Sequence, residues 1–207
     1  MRYIWPKKKI CRREWVNIFA SEKYDLDKSK RWLLRSRKTS EFWSQLRKKQ
    51  LAKRMYWLSE KQFSSYFQKA QKSKTEMTTW DQMLRFLELR FDNLVFRANF
   101  ARTRMQARQF VSHAHFLLNG VKTNIPSILL KKWDVIELRP KLRESSLYKS
   151  LFEELEEFSK QNKWKVSSCR WVDIDTKNLK ITVTSLPEKE DFESIIDIQK
   201  IVEFYSK

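Results

Sequence analysis

Apolar residues recur at helical spacing over the middle of this chain, and the pattern changes to that of strands further along. The segment after Ser40, residues 41–57, carries one apolar stripe and predicts a capped helix. A second helix is predicted with Ser59 as its N-cap, because apolar residues follow at i, i+4 and i+7, namely Phe63, Phe67 and Ala70.

Two more helical stripes precede the strands. The first, with Thr79 as candidate cap, contains Leu84, Leu87, Phe91, Leu94, Val95 and Ala98. The second begins near Thr103 and is predicted to bury Ala107, Phe110, Val111 and Ala114. Asn119-Gly120 then predicts a hairpin, since a type I′ turn takes positive φ at both central residues. Residues 134–140 supply a further strand, residues 164–187 alternate like short strands, and residues 198–207 are expected to dock back onto a domain.

These elements predict an α+β fold, mainly α, with two domains. Residues 1–40 form a basic N-terminal arm without steady periodicity, which is either solvated when alone or ordered by RNA. A helical domain over 41–89 is completed by the C-terminal segment 151–207. Residues 90–150 form an inserted helix–helix–β-hairpin module, and the basic residues of this module predict that it binds RNA.

The charge balance points to a polyanionic partner. The chain has 44 basic and 25 acidic residues, a formal net charge of +19 and a pI of about 10.0. Nucleic acid is the first candidate, and an anionic membrane surface is the second. No apolar run is long enough to span a membrane, and residues 41–57 only weakly resemble a membrane-surface helix.

Candidate RNA-binding residues follow from this charge. No acid occurs from residue 101 to residue 125, so the outward face of the helix after Thr103 is predicted to contact phosphate. The helix over 41–57 has a basic outer face of Arg47, Lys48, Lys49, Lys53 and Arg54. The N-terminal arm adds Lys7, Lys8, Lys9, Arg12 and Arg13.

The sequence motifs give little support to an enzymatic function. The single glycine, Gly120, cannot build a phosphate-cradling loop, and the zinc-protease and nucleophile-elbow motifs are missing. Cys11 and Cys169 lie far apart and outside any CxxC spacing, so we predict reduced thiols and no metal site. No cofactor is predicted. His113 and His115 are interpreted as structural hydrogen-bonding groups or RNA contacts.

Several segments resemble one family. "LSEKQFSSYF", "LELRFDNLVFRANFARTRMQARQFVSHAHFLLNGVKTNIPS", "RWVDIDTKNLKITVTSLPEKED" and "IVEFYSK" resemble the bacterial and organellar small-subunit ribosomal protein four family (universal uS-four). The resemblance runs in order over nearly the whole chain and is weakest at residues 20–40. Residues that match the RNA-binding signature of that family are Arg90, Asn93, Arg97, Arg102, Arg104, Gln106, Arg108, Gln109, Ser112, His113, His115 and Asn119. Asp92 belongs to the same pattern and is expected to orient a neighbouring arginine.

The resemblance implies a primary rRNA-binding protein without enzymatic activity. Such a protein nucleates small-subunit assembly at the rRNA 5′ domain, and later lines the mRNA entry path beside small-subunit proteins three and five. It works in the bacterial cytoplasm, with an organellar matrix or stroma as the alternative. The rival interpretation is a stand-alone RNA-binding or RNA-modification factor that uses the same module. Relatives with an N-terminal cysteine cluster hold zinc, but only Cys11 remains here.

The tryptophans depart from the family pattern. The chain has 9 Trp and 1 Gly, whereas glycine makes up about 7% of ordinary proteins. Tryptophan stands where the family has glycine at Trp5, Trp15, Trp43, Trp57 and Trp133, with Trp80 as a further candidate. The hypothesis is that several are UGA codons written as tryptophan but read as glycine by the organism, while Trp171 is a true tryptophan. A divergent lineage, with indoles packed on RNA or partners, is the alternative.

Overall fold

The structure, a computed structural model, describes residues 6–14, 16–19, 40–150, 153, 169–175, 178–193 and 195–205. The chain divides into two compact units: Met1–Lys72 with Glu193–Lys207, and Ser73–Phe192. The second unit therefore extends beyond the predicted module, 90–150, at both ends. Most of the basic arm (1–40) and, apart from residue 153, the part of the C-terminal segment over residues 151–168 lie outside the described residues.

The first unit consists of helices. They are α1 (Lys7–Glu14), α2 (Glu41–Met55), α3 (Glu60–Lys72) and, at the end of the chain, α8 (Ile198–Tyr205). Both predicted caps are confirmed. Ser40 Oγ accepts a hydrogen bond from Trp43 N at 3.4 Å, and Ser59 exchanges hydrogen bonds with Gln62 in a capping box. Residues 7–14 form a helix, although the sequence of the arm has no steady period there.

Helix α8 packs on α2, which confirms that the C-terminal segment docks back onto a domain. Gln45 donates to the Glu203 carboxylate at 2.8 Å, and the rings of Phe42 and Phe204 lie 5.5 Å apart. The ammonium group of Lys49 lies 4.3 Å from the centre of the Phe204 ring. An apolar contact, a hydrogen bond and a cation–π contact thus fix one short helix on another.

The helices of the second unit are α4 (Thr79–Glu88), α5 (Phe91–Arg97), α6 (Arg104–Ser112) and α7, described over residues 146–150. The predicted cap at Thr79 is wrong by one residue, because Thr78 Oγ1 accepts the hydrogen bond from Asp81 N. The continuous stripe from Leu84 to Ala98 is split between α4 and α5. The chain leaves the helix at Leu89 and Arg90 because these residues pair with an extended segment at Leu129 and Leu130.

The strands of this unit form one antiparallel sheet in the order β2-β1-β3-β5-β4. Their bounds are β1 Phe116–Leu118, β2 Val121–Lys122, β3 Val135–Leu138, β4 Val172–Asp175 and β5 Lys180–Val183. The predicted turn at Asn119-Gly120 is confirmed, with φ of 50° and 79°. Strand β5 pairs with β3, which explains why the second unit reaches beyond residue 150. The buried centre of the unit includes Phe91, Phe116, Ile136, Trp171 and Ile181.

Candidate nucleic-acid interface

Helix α6 and its two flanking turns carry a polar face made of predicted RNA-binding residues. Thr103 caps the helix through a hydrogen bond from Gln106 N to its hydroxyl, as predicted. The apolar residues of the other face are buried, as also predicted: Ala107, Phe110, Val111 and, just after the helix, Ala114. The polar face therefore points to solvent. Its exposed members are Arg102, Gln109, Ser112 and His113, and its half-buried members are Arg104, Gln106 and Arg108.

Asp92 is a buried carboxylate that holds two of the predicted arginines. It is 3% exposed. Arg90 donates to both of its oxygens at 3.0 Å, and Arg108 Nε donates to Oδ2 at 2.7 Å. The expectation that Asp92 orients a neighbouring arginine is confirmed. Because Arg90 is only 2% exposed, it neutralises the buried carboxylate and cannot itself present a guanidinium to solvent.

Glu88 anchors a second chain of contacts and is fully buried. It binds the Arg97 guanidinium at 2.7 and 3.0 Å and accepts a hydrogen bond from Asn93 Nδ2 at 2.7 Å. Asn93 Oδ1 in turn accepts from Arg104 Nε at 2.9 Å. The guanidinium of Arg104 also lies 4.4 Å from the centre of the Phe96 ring. The side-chain contacts from Glu88 through Asn93 thus fix the half-buried guanidinium of Arg104 beside the polar face of α6.

These contacts correct the interpretation of the acid-free segment. Arg108 does have an acidic partner, because α5 supplies the buried Asp92, and Arg104 is linked to the buried Glu88 of α4 through Asn93. Sequence reasoning assigned no role to Glu88. Its signal was its position four residues after Leu84, which places the carboxylate on the apolar face of α4.

His115 and Asn119 have structural partners within the module. His115 Nδ1 lies 2.8 Å from the Tyr148 hydroxyl, and burial, followed by the charges of His113 and Arg139, lowers the pKa of His115. Asn119 uses both side-chain atoms: Nδ2 donates to Asp134 Oδ1 at 2.9 Å, and Oδ1 accepts from Val135 N at 2.8 Å. Asn119 therefore ties the hairpin turn to the start of β3.

In the first unit, the basic face of α2 is largely engaged by carboxylates. Arg47 and Arg54 form ion pairs with Glu14 of α1, whose side chain is almost completely buried. Burial raises the pKa of Glu14, and the positive charges of Arg47, Arg54 and Arg13 oppose that shift. These contacts join α1 to α2.

The other carboxylate on this face is Glu60 of α3, which binds Lys49 at 2.6 Å and Lys53 at 2.8 Å. Lys49 is buried, so this predicted RNA contact serves the packing of α2, α3 and α8. Lys48 is half-buried. In contrast, α1 turns Ile10 and Cys11 inward and leaves its basic residues exposed, namely Lys7, Lys8, Lys9, Arg12 and Arg13.

Comparisons with known proteins identify the family. Residues 2–88 match the family described as ribosomal protein S4/S9 N-terminal domain, and residues 89–136 match the S4 domain. The small ribosomal subunit protein uS4 of Heliobacterium modesticaldum is 37% identical, covering 100% of this chain and 99% of the relative. The protein of the same name from Aquifex aeolicus is 40% identical with the same coverage. This chain belongs to the uS4 family.

The exposed basic residues of α1 and the polar face of α6 therefore belong to a ribosomal protein with an S4 domain. A third relative, uS4 of Lachnospira eligens, is 43% identical over 83% of this chain and 82% of its own. No group of three or more metal-ligating side chains is found among the described residues. None of the helices in the described ranges is long and apolar enough to cross a bilayer.

Proposed function

We propose that this protein is a primary rRNA-binding constituent of the small ribosomal subunit. In this proposal it binds the 5′ domain of the rRNA, nucleates subunit assembly there, and later lines the mRNA entry path beside small-subunit proteins three and five. The observation that carries the proposal is the arginine surface of α6, which buried carboxylates hold in place from the protein side. Full-length similarity to uS4 proteins supports the ribosomal context.

The geometry suits a folded RNA because it combines charge with fixed orientation. Arginine can grip phosphate with two parallel hydrogen bonds, and folded RNA is recognised largely through its shape, phosphates and 2′-hydroxyls. Asp92 binds Arg108 through Nε and Nη2, and Asn93 binds Arg104 through Nε, so the protein holds both guanidinium groups in a fixed orientation. Side chains held before binding lose less conformational entropy when RNA arrives.

We assign separate roles to the predicted RNA-binding residues. Buried Arg90, Asn93 and Lys49 act as positioning residues, since their side chains are enclosed by the protein. Arg102, Gln109, Ser112 and His113 are the exposed candidates for direct contact, with half-buried Arg104 and Arg108 beside them. The exposed bases of α1 add a second phosphate-binding surface in the first unit. This remains an electrostatic and shape-based mechanism without reaction chemistry, enzymatic activity or cofactor.

The rival is a stand-alone RNA-binding or RNA-modification factor. The S4 domain match, residues 89–136, would serve either protein. The match over residues 2–88 to a ribosomal N-terminal domain favours the ribosomal role. The corresponding location is the ribosome of a bacterial cytoplasm, or of an organelle.

Competition binding at near-physiological salt tests the proposal. A small-subunit rRNA 5′-domain fragment competes against an unrelated structured RNA of equal length for the intact chain. We expect a preference of about a hundredfold, roughly 2.7 kcal/mol. Arg104→Ala with Arg108→Ala should remove most of it, and Arg104→Lys with Arg108→Lys should remove part, because lysine keeps the charge and loses the planar fork.

The matched control removes two charges from α3 through Lys61→Ala and Lys72→Ala, both exposed positions. We expect this control to lower affinity for both RNAs by similar factors and to preserve the preference. Circular dichroism establishes that each variant is folded before its affinity is interpreted. Equal affinity of the unaltered chain for both RNAs would contradict the ribosomal proposal and favour the rival.

A further inference from the structure

Two tryptophans have a backbone conformation that suits glycine. Trp57 has φ of 54° and Trp133 has φ of 71°. Side chains beyond glycine rarely adopt this left-handed region because Cβ approaches the following carbonyl oxygen, and a bulky residue there is a clear outlier. The feature is independent of RNA binding.

Trp57 occupies the position that terminates α2. Its N–H donates to Arg54 O at 3.1 Å, and Leu58 N donates to Lys53 O at 3.0 Å. This pair of hydrogen bonds is the Schellman motif, in which the residue at the position of Trp57 takes the left-handed conformation and is usually glycine. Helices α5 and α6 end in the same motif with Asn99 and Ala114 at that position, which are small residues.

Trp133 occupies the third position of a tight turn. Asp134 N donates to Lys131 O at 3.1 Å, which closes the turn. Positive φ at the third residue is the geometry of a type II turn, where glycine is the usual residue. The indole of Trp133 is 66% exposed, so little packing offsets the unfavourable backbone conformation.

The other described tryptophans differ from these two in backbone conformation, because none of them has a positive φ. Trp43 and Trp80 lie in the first turns of α2 and α4 with negative φ, and Trp171 fills the core with 1% exposure. Of the described tryptophans, therefore, only Trp57 and Trp133 stand where the backbone favours glycine. The whole chain has 9 Trp and 1 Gly, a composition that a codon-level replacement of glycine by tryptophan would produce.

We infer that positions 57 and 133 carry glycine in the protein that the organism makes, encoded by UGA codons that its genetic code translates as glycine. The inference is selective. It assigns glycine where φ is positive, and it leaves Trp171 as tryptophan because the core is filled by that indole.

Peptide mass spectrometry of the protein purified from its own cells is the direct test. Peptides spanning positions 57 and 133 should each lack the mass of an indole side chain and fragment as glycine, while the peptide with position 171 retains tryptophan. Any residue other than glycine at position 57 or position 133 overturns the inference.

Thermal unfolding of the recombinant chain tests the structural premise. Trp133→Gly should raise the Tm by about 2 to 8 °C, since it relieves a left-handed backbone at an exposed site. Trp43→Gly, also at an exposed indole but within a helix, should lower the Tm because glycine weakens helices. Equal lowering by both substitutions would overturn the premise that position 133 favours glycine.

Discussion

Helices α2 and α6 both carry basic faces, but their carboxylate partners lie in different places. The partners of α2, Glu14 and Glu60, belong to α1 and α3, so the ion pairs join neighbouring helices to one another. The carboxylate partner of α6 is the buried Asp92, which pairs with Arg108, while the buried Glu88 reaches Arg104 only through Asn93. The first arrangement uses basic residues to assemble a helical unit, whereas the second holds them at a surface.

This difference shows that a basic helical face is not by itself an RNA-binding surface. On α2, the buried ammonium group of Lys49 contacts both the Glu60 carboxylate and the Phe204 ring, so it stabilises the packing of α2 against α3 and α8. On α6, the exposed Gln109 and, just before the helix, the exposed Arg102 accompany arginines that the protein holds through one edge of the guanidinium. Glu14 on the α2 side is buried like Asp92, so the enclosure of the base itself, rather than the depth of its carboxylate, distinguishes the two roles.

The largest effect on stability is expected from Asp92→Ala. Removing this carboxylate leaves Arg90, which is 2% exposed, as a buried charge without its bidentate partner. Breaking a buried ion pair in this way costs about 3 to 5 kcal/mol. Urea unfolding of the intact chain, followed by circular dichroism, measures the free energy of unfolding.

Asp173→Ala is the matched control, because this aspartate is exposed on β4. A surface substitution of this kind should change the free energy of unfolding by less than about 0.5 kcal/mol. If Asp92→Ala proved as mild as Asp173→Ala, the buried carboxylates would not be what holds the α6 surface, and the comparison with α2 would lose its basis.

A smaller effect is expected from Glu60→Gln. Glu60 is 47% exposed, so solvent screens the charge that its two lysines lose, although Lys49 itself is buried. A change of about 1 to 2 kcal/mol is expected from the loss of charged hydrogen bonds near the surface. Glu41→Gln, at an exposed residue of the same unit, is the control. An unchanged free energy of unfolding for Glu60→Gln would show that α3 and α8 pack without this pair.

The pH dependence of Glu60 has a defined sign. Burial would raise its pKa, but the hydrogen bonds and charges of Lys49 and Lys53 outweigh burial and lower it below 4.5. A carboxyl group with a lowered folded pKa stabilises the fold above its unfolded pKa, and this contribution is lost as the pH falls through the folded value. The difference in the free energy of unfolding between the unaltered chain and Glu60→Gln should therefore persist at neutral pH and shrink below about pH 4.5.

Local features of the fold could be predicted from the sequence because their causes are local. The caps Ser40, Ser59 and Thr103 and the turn at Asn119-Gly120 each depend on a few adjacent residues. The division of the stripe at Leu89 and Arg90 was not predictable in that way. It depends on pairing with Leu129 and Leu130, which propensity and periodicity do not register.

The candidate site shows the same limit. The polar face of α6 followed from its helical period, and the role of Asp92 followed from the resemblance to a family pattern. Burial of Arg90 and Lys49 could not be seen in the sequence, because each is enclosed by elements that tertiary packing brings to it. A charged residue is seldom buried unless it is paired, and the pairs become visible only in three dimensions.

The smallest effect on stability, and a clear effect on RNA binding, is expected from Lys8→Ala, Lys9→Ala and Arg12→Ala together. These residues are exposed on α1, so the free energy of unfolding should stay within about 0.5 kcal/mol. If each contacts a phosphate, the slope of log affinity against log salt should become shallower by about 2 to 3. The control removes three charges from α3 through Lys61→Ala, Lys69→Ala and Lys72→Ala. An equal change of slope in both variants would mean that α1 contributes only general charge, and that α6 alone provides the built surface.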